Sequence, residues 1–352
     1  MKHVMAVIGY GGMGSWHCKN VRERLSDRFE IAGIYDISEE RCKVAEQDGL
    51  HAYSSLEELL ADERIELVTV ATPNNSHKSI SIAAMRAGKN VISEKPVMMN
   101  TAELLEVIEV ANETGKLFTV HQNRRWDKDY LTVKNAVNNN LLGDVFMIES
   151  RVHGGRRVLH GWRGYKEDGG GMLLDWGIHL LDQLLQLIDS PVVSVHAEAQ
   201  YIYTKEVDDN IRMHLAFENG IKALIEVMTC SFVRMPRWQV YGELGTLRID
   251  DWNCEGKLVQ VRTDVEPEWS ESIVYTEGGP TRTMAPLPVD AVKETPLEIV
   301  SGDWSEYYSG VADALEGIAP PPVSHEQMVR DMKVVDATFE SIEKGCSIAC
   351  RI

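Results

Sequence analysis

Positive charge is scarce in this chain of 352 residues: 36 lysines and arginines stand against 54 aspartates and glutamates, a formal net charge of −18 at pH 7. Nucleic acids and anionic membrane surfaces are bound through basic faces, so neither is expected as a partner, and a small molecule is. Cysteine is sparse too. Cys18, Cys42, Cys230, Cys254, Cys346 and Cys350 show no metal-ligand spacing, and no second pair accompanies Cys346 and Cys350. They read as reduced thiols, and no metal site is expected. No apolar run reaches the length of a transmembrane helix. The first residues read as a buried strand, without the charged region and cleavage site of a secretion signal, so a cytoplasmic location is expected. Internal repeats and low-complexity tracts are lacking. The length suits two domains, and a content of 44% hydrophobic and 26% charged residues is that of a globular chain.

What is present begins with glycine. The apolar run Val4-Met5-Ala6-Val7-Ile8 leads directly into Gly9-Tyr10-Gly11-Gly12-Met13-Gly14, and Asp36 closes a second apolar run. A Gly-x-Gly-x-x-Gly between strand and helix, with a carboxylate at this distance, is the pattern of a dinucleotide-binding turn. Gly9 permits the tight turn, Gly11 lets backbone approach a pyrophosphate, and Gly14 lets helix and strand pack closely. The helix N-terminus then offers unpaired N–H groups to the phosphates. Asp36 can accept hydrogen bonds from ribose hydroxyls and repels a 2′-phosphate, which favours NAD over NADP. Arg41, five residues on, leaves NADP open.

Up to about residue 121, strand and helix signals alternate, which predicts a parallel, doubly wound sheet. Ser55-Leu56-Glu57-Glu58 reads as a capping box, and Asn100 with Glu103 as another cap. Beyond His121 come long alternating segments, 145–152, 193–203, 211–217, 221–230 and 237–249, with a hairpin turn at Glu218-Asn219-Gly220. They predict a second, largely antiparallel sheet, interrupted by a helix over 171–188. The segment 264–296 reads as an irregular loop, and 304–315 and 326–344 as amphipathic helices, the last folding back on the first domain. The domain boundary is expected between residues 122 and 123.

Three features can carry chemistry. Glu94-Lys95-Pro96 lies at the C-terminal end of a strand, where ligands of open parallel sheets sit. A lysine there can stabilise negative charge on a substrate oxygen; it also fits a plain surface lysine. Asp175 and His179 stand four apart in the predicted helix and share a face, so the carboxylate would orient the imidazole and raise its basicity. A helix-surface ion pair or a core histidine fits as well. The third feature is the loop Gln122-Asn123-Arg124-Arg125-Trp126, whose polar groups would face a cleft between domains; for Arg125 and Trp126 a packed connector is an equal reading.

With these residues in place the chain resembles the Gfo/Idh/MocA family, oxidoreductases that include glucose-fructose oxidoreductase and inositol dehydrogenase. The likeness rests on the Gly9 loop, Ala71-Thr72-Pro73-Asn74 with His77, Glu94-Lys95-Pro96, Trp162-Arg163, and Gly169-Gly170-Gly171 leading to Asp175 and His179. It implies an α/β chain: an N-terminal Rossmann domain over 1–122, and a C-terminal α+β domain over 123–352 whose large, mostly antiparallel open sheet joins dimers or tetramers. It implies Lys95, Asp175 and His179 as the catalytic group. It adds Thr72, Pro73, Asn74, His77, Glu94 and Lys95 to Gly9, Gly11, Gly12, Met13, Gly14 and Asp36 as cofactor contacts. Asn123, Arg124, Trp162 and Arg163, with Asp175 and His179, are the implied substrate contacts. The segment Asn123-Arg124-Arg125-Trp126-Asp127 is similar to the inositol dehydrogenase branch, which points to a sugar or cyclic polyol. The expected reaction is hydride transfer from a secondary hydroxyl to NAD, with His179 taking the proton and Lys95 stabilising the oxygen. The alternative is a redox-neutral cycle on a glycoside, through a transient keto-sugar with NAD retained.

Overall fold

Five short apolar runs form a parallel sheet: β1 (His3–Ile8), β2 (Phe29–Tyr35), β3 (Leu67–Val70), β4 (Asn90–Ser93) and β5 (Phe118–Val120), in the order β2-β1-β3-β4-β5. The computed structural model describes residues 2–266, 273–282 and 288–352. Every residue of β3 and β5 is buried, as expected for strands covered on both faces. The cover comes from α1 (Gly12–Arg24), α2 (Glu39–Gln47), α3 (Leu56–Ala61), α4 (His77–Arg86) and α5 (Thr101–Thr114). The strand order reverses beside β1, so the loops after β1 and β3 flank the crevice where such sheets bind ligands.

Local chemistry sets the helix ends. The Asn100 side chain accepts the Glu103 N–H at 2.9 Å, and α5 ends at Gly115 with φ +64°. The Ser55 hydroxyl accepts the Glu58 N–H at 3.1 Å, but Glu58 reaches back to the Ser54 N–H at 2.7 Å instead of that of Ser55. The expected box is therefore closed one residue earlier.

After α6 (Lys128–Asn138) come β6 (Val145–His153), β7 (Val192–Gln200), β8 (Asn210–Phe217), β9 (Lys222–Met228), β10 (Trp238–Gly242), β11 (Gly245–Ile249), β12 (Gly256–Val261), β13 (Ile273–Thr276), β14 (Gly279–Arg282), β15 (Val292–Thr295) and β16 (Ile348–Ala349). Nine of these form one sheet, β15-β12-β11-β10-β6-β9-β8-β7-β16, antiparallel except for the β6–β9 pair. Two sequence expectations are corrected. The segment 237–249 is two strands, because Glu243 and Leu244 make a tight reversal between Gly242 and Gly245. The segment 264–296 is not wholly irregular: β13 and β14 form a hairpin and β15 pairs with β12. Ile273, Val274, Tyr275 and Thr276 are strand-forming residue types, a short run that the surrounding proline and charge obscured; residues 267–272 and 283–287 of the segment lie outside the described part.

Three helices complete the chain, α7 (Ile178–Leu187), α8 (Ser305–Leu315) and α9 (His325–Lys344). The last two fold back onto the parallel-sheet layer. The Thr101 N–H donates to Asp336 on α9 at 3.1 Å, the Thr119 hydroxyl donates to the Val323 carbonyl at 3.0 Å, and α9 also meets the mixed sheet through the Ala197 N–H and the Ser341 hydroxyl at 2.9 Å. α9 thereby ties the two sheets together.

Candidate active site

The glycine loop is built almost wholly from backbone. Gly9 sits at φ +94°, and a Cβ there would lie 2.6 Å from the Ala71 carbonyl oxygen. A Cβ on Gly14 would lie 1.8 Å from the Gly9 carbonyl oxygen, so strand and helix touch at a distance that only glycine allows. Gly11 and Gly12 are the opposite case, with nothing within 4 Å of a Cβ position. The pair that packs is closed and the pair at the α1 N-terminus is open, which fits a pyrophosphate laid on that terminus. Met13 follows in the first turn of α1. The Asp36 carboxylate is fixed beside the loop, accepting the Tyr10 N–H at 2.6 Å and the Ser38 N–H at 2.8 Å. Arg41 is exposed in the first turn of α2.

At the end of β4, Glu94 is buried and its Oε1 accepts from His17 Nε2 and His121 Nδ1, each at 2.8 Å. The Lys95 N–H donates to Oε2 at 3.2 Å. Burial alone would raise the Glu94 pKa, yet His121 and His17 outweigh it and hold the carboxyl well below its usual range. Burial lowers the pKa of His17, so its neutral ring donates from Nε2 and accepts the Tyr308 hydroxyl at Nδ1, 2.7 Å away. His17, Glu94 and His121 are the one group among the described residues spaced to hold a metal. Separations of 2.8 Å between their atoms are hydrogen bonds, shorter than two ligands about 2.1 Å from a tetrahedral ion would show.

The turn that follows places Lys95 against the other half of the chain. Its Nζ donates to the Asp175 carboxylate at 2.9 Å and to the Asp175 carbonyl at 2.7 Å. Arg163 Nε donates to the second carboxylate oxygen at 3.1 Å. Burial would raise the Asp175 pKa, but Lys95 and Arg163 together hold it below the usual value. Asp175 lies in a single π-turn, Leu173–Gly177, that runs into α7 at Ile178; such turns recur at functional sites. Asp208 Oδ2 accepts the Leu173 N–H at 2.7 Å, and burial pushes its carboxyl up to about 7.

His179 is buried and faces these cations. Burial first, then Lys95 and Arg124, push its pKa well below 6.5, and its Nδ1 is buried without a partner. This corrects the expected pairing. No hydrogen bond joins Asp175 to His179 among the described residues; the carboxylate is taken by Lys95 and Arg163, and the π-turn removes the α-helical spacing on which the pairing rested. The imidazole is instead held neutral by its surroundings, the form that can accept a proton.

Of the other expected contacts, Arg124 stacks over Trp176 at 4.3 Å and Trp252 at 5.2 Å and pairs with Asp127 at 2.8 Å. Asn123 and Arg124 occupy one short helical turn, Asn123–Trp126, while Arg125 binds Asp182 at 2.6 Å and Trp126 meets Tyr307 at 5.8 Å, the packed-connector reading. Three expected cofactor contacts have their polar groups engaged inside the protein. Glu94 is held as above. Asn74 Nδ2 donates to the Gly169 carbonyl at 2.7 Å, and His77 lies buried between the Thr72 and Pro96 carbonyls at 3.0 Å each. They tie the β3, β4 and Gly169 loops together. Thr72 and Pro73 are half-buried beside them. Sequence reasoning missed His17, His121, Tyr308, Trp252 and Asp208. His121 at the end of β5 was the best available signal, since strand ends line the cleft.

Known proteins resemble both halves of the chain. Residues 4–122 match the oxidoreductase family with an NAD-binding Rossmann fold, and residues 130–248 match the GFO/IDH/MocA C-terminal domain. The chain is 30% identical over 351 residues to scyllo-inositol 2-dehydrogenase (NADP(+)) of Bacillus subtilis, covering 98% of this chain and 95% of that protein. It is 27% identical over 257 residues to myo-inositol 2-dehydrogenase of Thermotoga maritima, covering 70% and 75%. An NAD-binding protein from Listeria innocua superimposes with a TM-score of 0.93 at 41% identity, over 99% of each chain. A glycine turn open to a dinucleotide, a lysine at the end of β4 and a mixed sheet closing the cleft thus accompany matches over both halves, and the chain belongs to the Gfo/Idh/MocA family of oxidoreductases.

Proposed function

We propose that the protein oxidises a secondary hydroxyl of a sugar or inositol-like polyol with NAD as acceptor, using Lys95, Asp175 and His179. The observation that carries this reading is Lys95 Nζ, 2.9 Å from Asp175, beside a neutral, buried His179. NAD, when bound, would supply the hydride acceptor, its pyrophosphate held through Gly11, Gly12 and Met13 and its ribose through Asp36. His179 takes the hydroxyl proton. Lys95 stabilises the oxygen that becomes a carbonyl, and Asp175, fixed by Arg163, keeps the ammonium in place. The names of the Bacillus and Thermotoga relatives support the polyol class. Asp36 supports NAD, because a carboxylate at the end of β2 would repel a 2′-phosphate. A homodimer or homotetramer through the nine-stranded sheet and a cytoplasmic site of action belong to the same proposal.

The test is reduced-cofactor absorbance with NAD or NADP against inositols, aldoses and glycosides, in the wild type and in Asp36→Ala. NADH accumulating with a polyol, and a weaker preference for NAD in the variant, are expected. Product from a glycoside without accumulating NADH would replace the dehydrogenase reading with the redox-neutral one. Unchanged selectivity in the variant would show that another group reads the ribose.

A further inference from the structure

The segment leading from β6 to the π-turn runs against the charge of the whole chain. Residues 151–166 contain Arg151, Arg156, Arg157, Arg163 and Lys166 and no carboxylate, within a protein of net charge −18. Arg151 is consumed by Glu149 and Glu226 at 2.5 Å. Arg156 and Lys166 are exposed, with no side-chain partner among the described residues.

Arg163 is placed with particular care. Its guanidinium lies over the Trp162 ring at 4.5 Å and its Nε reaches Asp175 at 3.1 Å. Its carbonyl accepts the Gly171 N–H at 3.0 Å, and Asn74 and Asn75 hold the neighbouring Gly169 carbonyl and Asp168 carboxylate at 2.7 and 3.0 Å. The residue is thereby fixed where the two halves of the chain meet. Only Nε is used. Neither Nη group is hydrogen-bonded among the described residues, and the side chain is 37% exposed. A stacked arginine that offers its Nη edge is the geometry that binds an oxyanion through two parallel N–H bonds. Local charge agrees. Lys95, Arg124 and Arg163 are balanced by Asp175, Asp127 and the ionised Glu94, while His179 is neutral; an oxidised nicotinamide would then leave one positive charge in excess.

We propose that the substrate carries an oxyanion, a carboxylate or a phosphate ester, close to the hydroxyl that is oxidised, and that the Nη edge of Arg163 binds it. The proposal rests on the oxidoreductase reading and narrows its substrate from neutral polyols to polyhydroxy acids or sugar phosphates. The reaction keeps its balance: hydride leaves carbon for the nicotinamide, the hydroxyl proton goes to His179, and the anionic group is unchanged.

The experiment compares kcat/KM for matched sets (glucose, gluconate and glucose 6-phosphate; inositol and inositol phosphate) in wild type, Arg163→Gln and Arg163→Lys. Binding of gluconate and glucose 6-phosphate to the same proteins is followed in parallel by tryptophan fluorescence, with folding checked by thermal melting. An anionic substrate is expected to exceed its neutral counterpart about tenfold or more, and both variants to lose most of that ratio through KM, since lysine keeps the charge but not the fork. Which anion gains identifies carboxylate or phosphate. Equal use of neutral and anionic members, or a ratio that survives in Arg163→Gln, would overturn the proposal while leaving the oxidoreductase reading intact. Anion binding that depends on Arg163 with no cofactor reduction by any compound would do the reverse.

Discussion

The glycine loop and the Lys95 cluster stand at strand ends of one sheet, after β1 and after β4 with β3 between them, yet they are made differently. The loop is one continuous run, Gly9 to Gly14, whose working groups are backbone N–H and whose tolerances are set by missing side chains. The cluster joins Lys95 to Asp175 across 80 residues of sequence, and its working groups are side-chain charges. A site of the first kind exists as soon as its own segment folds. One of the second kind exists only when both sheets are assembled, with α9 tying them together.

The largest effect should come from the cluster. Lys95→Ala and His179→Ala are each expected to lower turnover about 10²–10⁴-fold, with cofactor affinity nearly intact, in steady-state kinetics and titration. Near-normal turnover in either would remove the assignment. In the loop the effect should fall on folding. Gly14→Ala would cost on the order of 4 kcal/mol or more, since its methyl would collide with the backbone, whereas Gly12→Ala should change stability by less than about 0.5 kcal/mol and weaken cofactor binding. Equal melting temperatures for the two variants would contradict the division into closed and open glycines.

The Glu94 carboxylate joins the two kinds of site, because it receives His17 from α1 and His121 from the end of β5. Glu94→Gln removes the charge from the acceptor that both buried histidines share and is expected to destabilise by about 1–3 kcal/mol in chemical denaturation. A neutral effect would mean that the histidines turn to other partners.

The last expectations concern pH. His17, His77 and His179 all have folded pKa values below 6.5. The unfolded chain takes protons below about 6.5 that the folded one refuses, so these groups lower stability as pH falls. Asp208 acts in the opposite direction. Its folded value of about 7 lies above the ordinary 3.8, so the stability it contributes is full below 3.8 and is lost as pH rises through 7. Melting curves from pH 4.5 to 8 should show less loss on the alkaline side in Asp208→Asn than in the wild type. An identical pH dependence would show that Asp208 does not titrate in this range.

Much of this was legible in the residues. Gly9 to Gly14 and Asp36 could be read because a phosphate-binding turn is local, and strand–helix alternation follows from the burial of both sheet faces. Lys95, Asp175, His179, Arg124 and Arg163 could be named as candidates, but their relations could not. The sequence reading paired Asp175 with His179 through α-helical spacing; the structure gives Asp175 to Lys95 and Arg163 and leaves His179 neutral by burial. Asn74, His77 and Glu94, marked as ligand contacts, have polar groups that bind protein. His17, Tyr308 and Trp252 gave no signal, since a lone histidine in a helix or an aromatic in a loop looks the same whether or not it adjoins a site.

By itself the sequence determined the glycine turn, the parallel sheet and the types of residue available for acid–base and oxyanion work. These depend on steric limits and on periodicity within short segments. Only the tertiary structure decided which charge meets which. Hydrogen bonds and pKa values depend on distance and burial between residues far apart in the chain, and these exist only once the two halves, tied together through α9, are assembled.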